Sequence, residues 1–209
     1  INTENFEEAK RRIESLKALT AEFHIDISSL GFTDYQTWQN PKELERLDEN
    51  LKLHVHLMVQ LKPQEILKWN NERIKILILH FEGCNLPFAL LKFAKKLKKE
   101  IIIAWSPHIE TEFIKEFLSY VNGILILGVH PGKSGQSLLE NTFSRLENAI
   151  KFKEQYKNLK KILVDGGINE ENLKIFLNYK NSIDYIIIGN AIFSKENPIQ
   201  AYKYFLSII

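Results

Sequence analysis

The chain has 209 residues, 44% of them hydrophobic and 26% charged, with 28 Lys and Arg against 26 Asp and Glu for a formal net charge of +2. Balanced charge leaves no broad basic field for a nucleic-acid backbone, while a small anionic ligand of phosphate size stays within reach. The single cysteine, Cys84, excludes an internal disulfide and a four-cysteine metal site; with no apolar run approaching the roughly 18 residues of a membrane span and no signal-like N-terminus, a soluble, cytoplasmic protein is expected.

Short apolar, β-branched runs read as strands at residues 22–27, 51–59, 75–81, 101–105, 123–129, 161–165 and 184–189. Several, such as Tyr185-Ile186-Ile187-Ile188, are continuous in apolar residues, as expected where both faces of a strand are buried. Helical spacing separates them: Phe6, Ile13 and Leu16, then Phe88, Leu91 and Ala94, then Phe113, Phe117 and Tyr120. Leu139, Phe143, Leu146 and Ile150 follow, then Leu173, Phe176 and Leu177, with a last helix through Tyr202 and Leu206. The alternation predicts an α/β protein, a (β/α)8 TIM barrel forming a single domain over residues 1–209. Seven strands are visible, and the first strand of the barrel is expected at or before Ile1, ahead of a helix that begins near Thr3. An open doubly wound sheet is disfavoured because Ser28, Ser29 and Leu30, not a glycine-rich turn, follow the first visible strand. The Lys-rich stretches 92–99 and 151–161 read as solvated helix faces.

Two groups of residues point to chemistry. Alternation puts His24 and Asp26 on one face at the end of their strand; His54 and His56 close the next, and Asp165 precedes Gly166-Gly167 at the end of another. In a barrel these ends share one face, where two His and two Asp suit a divalent metal. Each alone has a plainer role, a hydrogen-bonded strand histidine or a turn-forming aspartate; it is the coincidence that points to a site. Glycine pairs after three late strands, Gly132-Lys133-Ser134-Gly135, Gly166-Gly167 and Gly189-Asn190, are candidate phosphate cradles. The run from Gly128 to Ser134 is no P-loop, since three residues separate its glycines where four are needed and Pro131 interrupts the amide donors.

Six ordered segments resemble the ribulose-phosphate 3-epimerase family over nearly the whole chain: Phe23-His24-Ile25-Asp26, His56-Leu57-Met58-Val59, His80-Phe81-Glu82, Val129 to Gln136, Val164 to Ile168, and Gly189 to Phe193. The resemblance implies an isomerase that inverts carbon 3 of a ketose phosphate, D-ribulose 5-phosphate to D-xylulose 5-phosphate in the pentose phosphate pathway. It implies one divalent metal held by His24, Asp26, His56 and Asp165, zinc first and iron(II), manganese or cobalt after it. Asp26 and Asp165 become the two acid/base groups, one on each face of the carbon, working through an enediolate. His56 and the glycine loops, with Lys133, Ser134 and Asn190, become contacts for the sugar phosphate, and a homo-oligomer is implied. Departures are Ile27-Ser28-Ser29-Leu30 for the family's Val-Met-Asp-Gly, Leu127-Gly128 for Met-Thr, Ser106 for an Asn before Pro, and Lys133-Ser134 for Phe-Gly. They keep open an allulose 6-phosphate 3-epimerase and a catalytically silent sugar-phosphate-binding relative.

Overall fold

The structure is a computed structural model that describes all 209 residues, grouped into two compact units, residues 1–104 and 105–209. Its seven strands follow one another in chain order, and the register within each unit is parallel.

In the first unit, α1 (Phe6–Leu16) starts where the Asn5 side chain accepts from the Glu8 N–H at 3.0 Å, with Glu7 and Glu8 at the positive end of the helix. The expected start near Thr3 is therefore three residues early; Thr3 instead gives its carbonyl to Trp38 N–H at 2.9 Å. Phe6, Ala9, Ile13 and Leu16 form the buried stripe, with the Trp38 ring 5.1 Å from Phe6 and 5.6 Å from Trp69. Strands β1 (Glu22–Ser28), β2 (Lys52–Met58) and β3 (Ile74–Leu79) pair in sequence, and β3 pairs with β4 (Glu100–Trp105). Asp26 faces His56 directly across the first pair. Ile1 meets the other side of β1 in the two-bond pattern of a parallel ladder: its nitrogen donates to the His24 carbonyl at 2.5 Å and its carbonyl accepts from Asp26 N–H at 2.9 Å. Helices α2 (Pro63–Lys68) and α3 (Pro87–Lys95) each open on a proline, which loses no hydrogen bond there. In α3 the buried stripe is Leu90, Leu91 and Ala94, and Phe88, expected on that stripe, is 45% exposed one turn earlier.

The second unit carries α4 (Thr111–Lys115), β5 (Gly123–Leu127), α5 (Thr142–Gln155), β6 (Lys161–Asp165), α6 (Leu173–Phe176), β7 (Tyr185–Ile187), α7 (Asn190–Phe193) and α8 (Pro198–Ile208). β5 is buried throughout, which accounts for its continuous apolar run. The helix expected through Tyr120 is only the short α4; Phe117 stays buried in the following turns and Tyr120 lies at the surface. Leu139, expected in α5, precedes it: its N–H donates to the Gly128 carbonyl at 2.8 Å, tying the loop back to the end of β5. Buried Arg145 on α5 donates to the carbonyls of Trp105 at 2.7 Å and Leu127 at 2.9 Å. Burial pushes this guanidinium down to about 10. No helix is long and apolar enough to cross a membrane.

Candidate metal centre

The first unit gathers its donors at the ends of β1 and β2. Period-two alternation aims His24 and Asp26 to one side of β1, and parallel register sets His56 opposite Asp26. Asp26 Oδ1 then lies 3.2 Å from His24 Nε2 and 3.1 Å from His56 Nδ1. One ligand atom from each of the three lies within 4.8 Å of the others. Both imidazoles are buried, and the Asp26 side chain is only 13% exposed. His54, two residues before His56 on the same face of β2, sits one step nearer the start of the strand, opposite His24, with its Nε2 3.7 Å from Glu22.

Burial alone would push the Asp26 carboxyl up, yet the hydrogen bonds and charge of His24 and His56 outweigh it and hold the group well below the usual carboxylate range. Burial pushes His56 down, aided by the charges of His80 and His24 and opposed by Asp26, which favours the neutral imidazole that a metal needs. A carboxylate oxygen and two imidazole nitrogens converging in a buried pocket are the borderline donors that zinc, iron(II), manganese and cobalt accept.

Behind His56 lies a hydrogen-bonded chain of two further side chains. His56 Nε2 is 2.8 Å from His80 Nε2, and His80 Nδ1 is 2.6 Å from Glu82 Oε1. Its sequence signal was present: His80-x-Glu82 repeats the spacing of His24-x-Asp26 at another strand end. Ser28, one of the departures noted in the sequence, is fully buried and bonded into the following loop, its Oγ 2.5 Å from Thr33 Oγ1 and donating to the Tyr35 carbonyl at 2.6 Å. These bonds tie the end of β1 to residues 33 and 35 of that loop.

In the second unit Asp165 ends β6, half-buried, with its carbonyl accepting from Gly128 N–H at 2.7 Å. The glycine loops approach one another there. Gly135, at φ +88°, has its Cα hydrogen side facing the Asn190 amide, 3.6 Å from where a Cβ would stand. Gly166 and Gly167, at φ +95° and +72°, lie so close to Val129 and Leu138 that a Cβ would come within 2.6 and 2.5 Å of them. Gln136 closes the first loop by donating to the carbonyls of His130 and Lys133, both at 2.8 Å. Gly132 is buried at φ +127°, while Lys133 and Ser134 are exposed.

The chain is similar to known proteins in sequence and in fold. A ribulose-phosphate 3-epimerase of Helicobacter pylori is 30% identical over 165 residues, covering 78% of this chain and 69% of that protein. One of Methanocaldococcus jannaschii is 28% identical over 162 residues, covering 78% of this chain and 67% of its own. Among solved structures, 3-hexulose-6-phosphate synthase from Salmonella typhimurium superposes with a TM-score of 0.70 at 12% identity, covering 97% of this chain and 92% of that one. Phosphoribosyl anthranilate isomerase from Thermus thermophilus gives 0.64 at 18% identity, covering 98% and 95%. At such identities the structural likeness establishes the parallel (β/α) barrel fold and nothing further. The model of the Ribulose-phosphate 3 epimerase family matches residues 1–193, and the chain belongs to this family of isomerases.

Proposed function

We propose that this chain, acting as one barrel over residues 1–209, is a metal-dependent epimerase that inverts carbon 3 of a ketose phosphate, with D-ribulose 5-phosphate and D-xylulose 5-phosphate as its pair. The observation that carries the reading is Asp26: a buried carboxylate held ionised between His24 and His56, in a chain of this family. We assign His24, Asp26, His56 and Asp165 as the ligands of one divalent metal, zinc first, then iron(II), manganese or cobalt. When bound, the metal supplies positive charge that stabilises the enediolate form of the sugar.

Inversion at a carbon acid takes a proton from one face and returns one to the other, so two carboxylates on opposite faces are the simplest apparatus. Asp26 takes the carbon-3 proton in one direction and Asp165 delivers the replacement, with the roles exchanged in reverse. His24 and His56 flank the Asp26 oxygen at 3.2 and 3.1 Å, so it is already placed when the sugar binds and little reorganisation accompanies transfer. The phosphate is assigned to the amides of Gly132, Gly135, Gly166, Gly167, Gly189 and Asn190, in the turns that follow three late strands. Lys133 and Ser134 are exposed on the same loop and are assigned as further contacts for the phosphate.

Turnover of the full chain on ribulose 5-phosphate and on allulose 6-phosphate, each with zinc and then iron(II), tests the proposal. Faster turnover of the pentose is expected. Preference for the hexose would redirect the substrate assignment, and tight binding of both sugars with no turnover would make this a silent sugar-phosphate-binding relative.

A further inference from the structure

We propose that Glu82, acting through His80, fixes the tautomer in which His56 of the metal-loaded chain offers its Nδ1 lone pair to the metal; this positioning role rests on the metal-binding reading above. The argument is one of hydrogen counting. Glu82 Oε1, an acceptor when ionised, is 2.6 Å from His80 Nδ1, so that nitrogen carries a hydrogen. A neutral His80 then has only a lone pair at Nε2. His56 Nε2, 2.8 Å away, must donate to it, and in the metal-loaded chain His56 Nδ1, which lies 3.1 Å from Asp26 Oδ1, is left with the lone pair that the metal would take up in place of a proton shared with Asp26.

The geometry suits such a relay. The two imidazole planes differ by 17° and their centroids are 5.0 Å apart, which exceeds the nitrogen separation by about two ring radii. The rings therefore meet edge to edge, with the hydrogen bond near both planes. The His56 and His80 side chains are fully buried, and the Phe32 ring lies 5.0 Å from His80, so water does not compete for either nitrogen. The opposite order needs hydrogens on both His80 nitrogens, placing an imidazolium against a histidine that binds a cation. Outer partners that orient a ligating histidine change metal affinity by about 10- to 100-fold when removed.

The test uses the full chain labelled with 15N-histidine and long-range proton–nitrogen NMR of the zinc-loaded protein, which reads each tautomer directly. His56 protonated only at Nε2 and His80 only at Nδ1 is the expected result. Zinc dissociation constants from chelator competition should rise about 10- to 100-fold in Glu82→Leu and stay near wild type in Glu82→Gln, whose amide oxygen still accepts from His80. His56 protonated at Nδ1 in the zinc-loaded wild type would overturn the proposal, as would a folded Glu82→Leu that binds zinc as tightly as wild type. If that variant does not fold, the wild-type spectrum decides. A wild-type chain that binds no divalent metal would refute the metal reading and this proposal with it, an outcome distinct from tight binding with the wrong tautomer.

Discussion

Three glycines offer a controlled measure of how closely the loops around the assigned phosphate site are packed. Gly167 has φ +72°, and an added Cβ would stand 2.5 Å from the Leu138 nitrogen and 2.7 Å from its Cα, both backbone atoms. Gly83 has φ +78° with nothing within 4 Å of the same position, and Gly189 has φ −107° with equally open space. Gly83→Ala therefore carries only the left-handed backbone cost, about 1–2 kcal/mol. Gly167→Ala adds overpacking against a backbone that cannot rotate away, about 1–3 kcal/mol more, for a total of about 2–5 kcal/mol. Gly189→Ala should be neutral or slightly stabilising, because it reduces the freedom of the unfolded chain. Equilibrium urea unfolding resolves these differences: at an m-value of about 2 kcal/mol/M the midpoint of Gly167→Ala should fall about 0.5–1.5 M below that of Gly83→Ala. The expected m-values are equal across the set. Equal midpoints for the two variants would refute the reasoning, since the close approach of Gly167 to Leu138 is the only term that separates them.

Arg145→Lys keeps the charge but replaces a planar fork that reaches both Trp105 and Leu127 with a single ammonium; a loss of about 1.5–3 kcal/mol in urea unfolding is expected, and no loss would show that one carbonyl suffices. The Glu8 carboxyl is lowered from 4.5 to about 2, first by its hydrogen bond to Arg11, against burial, and then by Arg12. A lowered carboxylate contributes stability that is full above its unfolded value near 4.5 and drains away as pH falls from there through about 2. Glu8→Gln should flatten that part of the stability–pH curve by about 0.5–1 kcal/mol, small because the pair is solvent-screened, and an unchanged curve would contradict the assignment. Chelation followed by zinc at 100 times its dissociation constant should raise the melting temperature by about 5–10 °C, the equivalent of about 2.7 kcal/mol, and no rise would count against the metal site.

Much of this was legible in the residues themselves. The strand runs announce a parallel sheet because both strand faces are buried, and His24-x-Asp26 shows its common face through period-two alternation. That Asp26 stands opposite His56 was not legible, because register depends on where each chain enters the sheet. Helix ends were displaced wherever a loop residue made a hydrogen bond that periodicity does not encode, as Leu139 does with Gly128. Arg145 was hidden because charge suggests a solvated face, although its spacing from Thr142, Ala149 and Phe152 puts it on the buried stripe of α5. His80 and Glu82 were visible as a matching segment, but a relay of tautomers appears only once distances are known.

The central claim is that Asp26 and Asp165 move the proton at carbon 3. Its most direct test is incorporation of deuterium at that carbon when ribulose 5-phosphate is incubated with the metal-loaded full chain in deuterated water, followed by proton NMR. The account predicts exchange in the wild type and its loss in both Asp26→Asn and Asp165→Asn. Exchange that survives either substitution at the wild-type rate would contradict a two-carboxylate mechanism.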